Sequence, residues 1–354
     1  MTEESSPVIS PSVKRWIFLA ALVGYAILAI YLFYFVGVAD LLFVVKKMNL
    51  AIFSLAIASV IISLTFHTLV WLQLLNSVGI KLGFRRSYTL YWVGVFVDNL
   101  IPGGWSGDLF KAYLLNKDPT VESGKAVASV VAKNMYEAIF NLGNMLVGIA
   151  LLVLNYTFEG SLLITLGGVM LLLTLPLVIL LIASFRPNGA QKIVAALFRS
   201  LSKIRKNNWH PKEIQTKVEK ALGDYHEGMQ VLLQKPAMLL KPMILSLFAW
   251  AFEIITLLFT FASLNQFVPL DKVIIVRSIA GNIEAQGYAF MGYAQIVTTE
   301  LYRTLGVPLI IGASIALLGG TAIFWVKTGI SYTAFHRTLL SKKQVTSQKQ
   351  ELIQ

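Results

Sequence analysis

Six stretches of this chain, at 16–38, 50–75, 126–154, 161–184, 242–264 and 307–334, are long and apolar enough to cross a hydrocarbon core of roughly 30 Å as helices. Lipid offers no water to unpaired backbone groups, so segments of this kind must close their hydrogen bonds within themselves. The expected fold is therefore all-α and polytopic, with about six full spans. Only 14% of the 354 residues are charged and 56% are hydrophobic, whereas soluble domains carry about 25% charged residues. That balance excludes an ordinary soluble enzyme. There is no cysteine, and the four histidines are scattered, so no metal centre, redox centre or cofactor is implied. The net charge of +12, in a chain this apolar, reads as orientation signals and contacts with anionic lipid rather than as a nucleic-acid surface.

The first run, at 23 residues, exceeds the about 7–15 residues of a signal-peptide core, so it is expected to remain as a span. Lys14 and Arg15 precede it, and the polar insertion at 185–241 holds 11 Lys/Arg against 4 Asp/Glu. Both are expected on the cytoplasmic side, as is the basic tail with Arg337, Lys342, Lys343 and Lys349. The amino and carboxyl termini then both face the cytoplasm, in a cell membrane. Lys46 and Lys47 run against the bias. Within 185–241, the spacing of Ile193, Leu197, Leu201 and Ile204, then of Ile214, Val218, Leu222 and Tyr225, predicts two amphipathic helices lying on an anionic leaflet. Residues 1–340 form one transmembrane domain, and 341–354 are expected to be a disordered basic tail.

Two further apolar stretches do not fit as spans. Residues 88–101 stop short of a bilayer crossing, contain Asp98 and Asn99, and run into Pro102, Gly103 and Gly104. Residues 273–297 are interrupted by Arg277, Gly281, Asn282, Glu284 and Gly287, which a lipid-facing helix does not tolerate. Basic residues flank the first on both sides, so it enters and returns on the cytoplasmic face; the parity of the spans makes the second return on the opposite face. Each half, 50–154 and 242–334, then reads span, re-entrant element, span, with opposite orientation. This inverted repeat is a transporter device, in which broken helices line a cavity at mid-membrane. The competing reading is that both stretches are poorly hydrophobic spans.

Chemistry concentrates in the same places. Pro102 ends a helix, Gly103 and Gly104 allow a tight turn, and Ser106, Gly107 and Asp108 start a new helix whose free N–H groups suit an anion, with Lys111 one turn further. The alternative is that the glycines serve packing and Asp108 merely caps. In 126–154, Lys133, Asn134, Glu137, Asn141 and Asn144 form a polar stripe, and Lys133 and Glu137 are an i,i+4 pair, either functional or a buried structural couple. Arg277 and Glu284 share a face if their stretch is helical, Arg277 suiting a phosphate and Glu284 a proton. Glu253 stands alone in its span, and His67, beside Thr65 and Thr68, reads as a polar packing residue.

The run Pro102-Gly103-Gly104-x-x-Gly107-Asp108-x-x-Lys111-Ala112-Tyr113-Leu114-Leu115 resembles the PGxxGExxRAxLL segment of the flippase-like family named for the transmembrane region of lysylphosphatidylglycerol synthase. Gly292-x-x-Gln295, followed by Gly306-Val307-Pro308, resembles that family's second motif, PGGxGxxE with a downstream GVP. The likeness spans roughly 15–335. It departs where the family carries Glu-Arg and then an acidic residue and this chain carries Lys133, Asn134 and Glu137. It departs again at Gln295, where a Glu is usual, and at Phe290-Met291-Gly292. The resemblance implies movement of a lipid or lipid-linked headgroup between leaflets, and the Gln295 departure puts proton coupling through that position in doubt. The expected function is a non-enzymatic, flippase-like transporter of a phosphate-bearing lipid. The expected binding residues are Asp98, Pro102, Gly103, Gly104, Gly107, Asp108, Lys111, Lys133, Asn134, Glu137, Asn141, Arg277, Glu284 and Gln295. The alternative is a membrane-embedded glycosyl or aminoacyl transferase acting on a phospholipid or polyprenyl-phosphate.

Overall fold

The structure, a computed structural model, describes residues 26–100, 106–117, 121, 123–156, 240–285 and 291–351. The expected span at 161–184, the cytoplasmic insertion at 185–241 and the turn residues Pro102, Gly103 and Gly104 lie outside them. Among the described residues every regular element is helical: α1 (Ala26–Val36), α2 (Val38–Lys46), α3 (Leu50–Ser77), α4 (Phe84–Leu100), α5 (Ser106–Asn116), α6 (Ser123–Asn155), α7 (Leu240–Ser263), α8 (Leu270–Ala285), α9 (Met291–Thr304), α10 (Leu309–Ala316) and α11 (Ile323–Glu351). A π-helical segment, Leu317–Ala322, joins α10 to α11. Among the described residues, four helical segments are long and apolar enough to cross a membrane: Leu50–Ser77, Ala132–Asn155, Leu240–Ser263 and Leu309–Thr338.

The first apolar run, expected as a span over 16–38, is described from residue 26 and is helical to Val36. Its helix bends by 90° at Gly37, which takes φ 86, and continues as α2. A side chain at that φ would be strained, and glycine is not. The bent pair counts as a fifth span only if both arms are taken together. At the carboxyl end α11 runs on to Glu351, past the apolar run that ends at 334. Extending a formed helix costs far less than nucleating one, and no Gly or Pro interrupts residues 330–351.

Helices α3 and α7 run antiparallel along their length. Asn49 donates its backbone N–H to Ser263 O at 2.7 Å, and Phe66 stacks on Phe248 and Phe252 with centroids 5.4 and 5.7 Å apart. The Asn49 side chain caps α3 by accepting from the N–H groups of Ala51 and Ile52.

The two stretches too polar or too short to span each form a helix–break–helix hairpin. In the first, α4 and α5 close so tightly that a Cβ on Gly107 would collide with the Gly94 carbonyl, and a Cβ on Gly94 would collide with Lys111 Cδ at 2.8 Å. In the second, α8 and α9 are tied near their base by Lys272 Nζ donating to Leu305 O at 2.5 Å. The first hairpin packs its base against Trp71 and Leu75 of α3, through Leu90, Val93 and Leu115. The second packs Val273, Ile275 and Tyr302 against Phe53, Ala56 and Phe261. Phe53 and Trp71 are about 27 Å apart along the α3 axis at 1.5 Å per residue, so the hairpins are anchored at opposite ends of one helix. Gly148 lets α6 approach α8, because a Cβ there would meet Ser278 Cβ at 2.6 Å.

Replacing Gly107 with alanine is expected to cost about 1–3 kcal/mol, since the added methyl has backbone on one side and the Asp98 carboxylate on the other. Gly143→Ala, whose Cβ meets nothing within 4 Å, should be neutral. Thermal unfolding of the two purified variants in detergent checks the contrast, and equal melting temperatures would contradict the tight α4–α5 packing.

Candidate functional site

Between the two hairpin anchors lies a cavity of about 380 Å³, within the about 300–1,000 Å³ of ordinary small-molecule sites. Both hairpins bring the residues nearest their tips to it, Asp98 and Asp108 from the first and Asn282, Ala294 and Gln295 from the second. The α6 stripe supplies Lys133, Glu137, Asn141 and Asn144, which share one face at steps of four, four and three. Helices α3 and α7 add His67 and Glu253, and α11 adds Lys327.

Two charge networks occupy its walls. In the first, Asp98 accepts the Gly107 N–H at 2.6 Å and the Ser106 hydroxyl at 2.9 Å. The start of α5, whose free N–H groups the sequence offers to an external anion, is thus already met by a carboxylate of the same hairpin. Asp108 and Lys111, each 3% exposed, form an ion pair. The Lys111 ammonium also lies 4.5 Å from the Tyr91 ring centroid and 4.9 Å from that of Trp71. Cation–π attraction adds to the pairing in this desolvated position. Lys133 then bridges Asp108 at 3.2 Å and Glu137 at 2.7 Å. Asp108, Lys111, Lys133 and Glu137 sum to zero charge.

In the second network Arg277 donates through Nε and Nη2 to Glu253 Oε2, at 3.2 and 3.0 Å, and through Nη1 to Glu284 Oε2 at 2.6 Å. His67 Nε2 lies 3.2 Å from Glu253 Oε1. Gly281 has no Cβ to obstruct the guanidinium, which would lie 3.1 Å from one. Asn282 donates to Ser278 O at 2.7 Å and to Asn141 O at 3.2 Å, joining the second hairpin to α6. Asn99 donates to Thr328 Oγ1 at 2.6 Å, joining the first hairpin to α11.

Most of the residues singled out in the sequence therefore meet around one cavity, with different partners from those expected. Lys111 sits beneath the wall, neutralised, rather than free to receive a phosphate. Arg277 is held by two carboxylates, and Glu253, solitary in the sequence, has two partners from other helices. Gly107 serves the α4–α5 approach. Asn134 is half-buried and does not line the cavity, and Gln295 lines it with Oε1 unpartnered. The sequence reading overlooked Lys327, Ser278, Gly319 and Gly320. A lysine inside an otherwise apolar span was the available signal for the first.

The profile of the family described as the lysylphosphatidylglycerol synthase TM region matches residues 17–331. The chain belongs to that family. A UPF0104 membrane protein of Pyrococcus horikoshii is 24% identical over 318 residues, covering 88% of this chain and 94% of its own. Another, from Methanocaldococcus jannaschii, is 23% identical over 287 residues, covering 79% and 81%. No solved structure matches. The motif residues on which the resemblance was drawn fall at the hairpins. Gly107 through Leu115 form α5, and Gly292 and Gln295 lie in the first turns of α9. Gly306, at φ 79, makes the turn before Val307-Pro308 and the start of α10. The departure at Lys133 has a local explanation in this member of the family. Asp108 stands across from it, so a cation on α6 bridges two carboxylates where the usual acidic residue would leave three together.

Proposed function

We propose that this protein moves a phosphate-bearing lipid or lipid-linked headgroup between leaflets, as a flippase-like transporter of the cell membrane. The observation that carries the proposal is a charged cavity of about 380 Å³ enclosed by apolar helices and reached by two helical hairpins anchored at opposite ends of α3. An intramembrane cavity of this polarity gives a headgroup the hydrogen bonds that hydrocarbon denies it. In this reading the hairpins enter from opposite faces, the two halves form an inverted repeat, both termini face the cytoplasm, and rocking of one hairpin against the other alternates access. The transferase alternative needs a carboxylate available as a base. Asp108, Glu137, Glu253 and Glu284 are all ion-paired, and Asp98 holds the start of α5, which favours transport.

The test is translocation of a headgroup-labelled phospholipid in vesicles containing the purified protein. Asn144→Phe, which projects a ring into the cavity from a half-buried position, is expected to slow translocation by about tenfold or more, roughly the 1.4 kcal/mol that a tenfold change represents. Leu146→Phe, on the exposed side of the same helix, should leave it unchanged. Translocation no faster than in empty vesicles, or a covalently altered lipid, would overturn the transport reading.

A further inference from the structure

Every cation of the two networks has a carboxylate partner. Among the described residues that line the cavity, Lys327 is the cation without one. Arg277 already occupies both Glu253 and Glu284, and Asp108 and Glu137 are taken by Lys133 and Lys111. Two buried polar atoms of the same cavity lining also have no partner. They are Ser278 Oγ, on a residue 2% exposed, and Gln295 Oε1, on a residue 5% exposed. The two unmade hydrogen bonds are costly in a buried site unless something else completes them, and the half-buried Lys327 ammonium makes no contact ion pair of its own.

The local backbone is shaped to present these groups. The π-helical segment ends at Ala322, shortly before Lys327, and contains Gly319 and Gly320. A Cβ on Gly320 would fall 2.6 Å from Gln295 Nε2, so the missing side chain lets Gln295 reach the wall. Single π-turns inside α-helices are frequent at functional sites. A second, smaller cavity of about 130 Å³ shares Glu253, Arg277, Gly319, Gly320 and Lys327 with the first. Its remaining lining mixes Val60, Leu257, Ile315 and Ile323 with Ser63, Thr256 and Thr298, so aliphatic and hydroxyl side chains together form an annex that adjoins the unpaired ammonium.

We propose that Lys327, Ser278 and Gln295 form the headgroup subsite of the cavity and select a phosphodiester whose polar end carries a hydrogen-bond donor. This rests on the transport reading for its biological setting, though not for the binding it describes. The chemistry follows from the donor inventory. The ammonium and the serine hydroxyl donate to phosphate oxygens, whereas Gln295 Oε1 only accepts and needs a hydroxyl or ammonium from the ligand. The aliphatic side chains of the annex, Val60, Leu257, Ile315 and Ile323, favour a lipid over free phosphate, because its carbon chain can then cover them.

The test is equilibrium binding to the purified full-length protein in an uncharged detergent, with no transport step. Dihexanoyl phosphatidylglycerol supplies a phosphodiester and hydroxyl donors, dihexanoyl phosphatidylcholine a phosphodiester without a donor, dihexanoylglycerol neither charge nor phosphate, and inorganic phosphate the free anion. Lys327→Met is expected to weaken phosphatidylglycerol binding by about tenfold to a hundredfold, the range for losing a charge-assisted contact. Lys327→Arg should keep most of the affinity, and dihexanoylglycerol should bind weakly and indifferently to either change. Gln295→Leu should erase the preference for phosphatidylglycerol over phosphatidylcholine while leaving the phosphate contribution in place. Circular dichroism and gel filtration of each variant confirm that it is folded. Folded Lys327→Met binding phosphatidylglycerol within about twofold of the parent would overturn the subsite. Inorganic phosphate competing as well as the lipid would overturn its assignment to a lipid. Lys327-dependent binding in a protein that moves no lipid would uphold the subsite and sink the transport reading, whereas translocation indifferent to Lys327 would do the reverse.

Discussion

Lys133→Met is expected to destabilise the protein by about 3–5 kcal/mol, the typical cost of removing one partner from a buried ion pair. Lys133 is 5% exposed and is the only one of the two lysines near Asp108 that also reaches Glu137. Methionine fills much the same volume, so lost packing contributes little. What remains is Glu137 without a counter-charge and Asp108 dependent on Lys111 alone. The double variant Lys133→Met/Glu137→Gln should recover part of the loss, because the glutamine carries no charge to strand. Unfolding in detergent followed by circular dichroism checks both. If the single variant were as stable as the parent, the bridge would be solvated rather than buried and the charge accounting of the first network would fail.

The second large effect is expected at Arg277. Its guanidinium joins α8 to α7 through Glu253 and reaches Glu284 two turns further along the same face of its own helix. Arg277→Met leaves Glu253 with His67 alone and Glu284 without a cation, and because these side chains are only partly buried a loss of about 1–3 kcal/mol is expected. Arg277→Lys should not restore the parent, since one ammonium cannot reproduce a fork directed at two carboxylates. Arg277→Met/Glu253→Gln should be more stable than Arg277→Met. A double-mutant cycle over Arg277 and Glu253 measures the coupling, and a value indistinguishable from zero would mean that the contact does not hold α7 and α8 together.

These two expectations also change what a substitution at Lys111 reports. The sequence places Lys111 one turn into a helix that starts at a glycine-rich break, which reads as an anion site. In the fold its ammonium is enclosed by Asp108, Tyr91 and Trp71, so removing it leaves Asp108 dependent on Lys133 alone. Loss of activity in Lys111→Ala would then report damage to the hairpin as readily as loss of a ligand. Lys327 is the better probe because no carboxylate depends on it.

Much of this protein was legible in the chain. Hydrocarbon length and the cost of unpaired backbone pick out Leu50–Ser77, Ala132–Asn155, Leu240–Ser263 and Leu309–Thr338, and polar residues in the stretches beginning at 88 and 273 set α4 and α8 apart from them, although α8 runs unbroken through Arg277, Gly281, Asn282 and Glu284. Spacing along a helix also predicts the Lys133–Glu137 pair and puts Arg277 and Glu284 on one face, because residues four or seven apart share a face whatever surrounds them. Partners on different helices left no such trace. That Asp98 caps α5, that Lys133 meets Asp108, that Glu253 meets His67 and Arg277, and that Lys327 meets no carboxylate all depend on which helices lie side by side. Sequence alone determined which residues are too polar for lipid; only tertiary packing decided which of those charges neutralise one another and which one is left facing the cavity, because an ion pair is set by a few ångströms of separation between helices far apart in the chain.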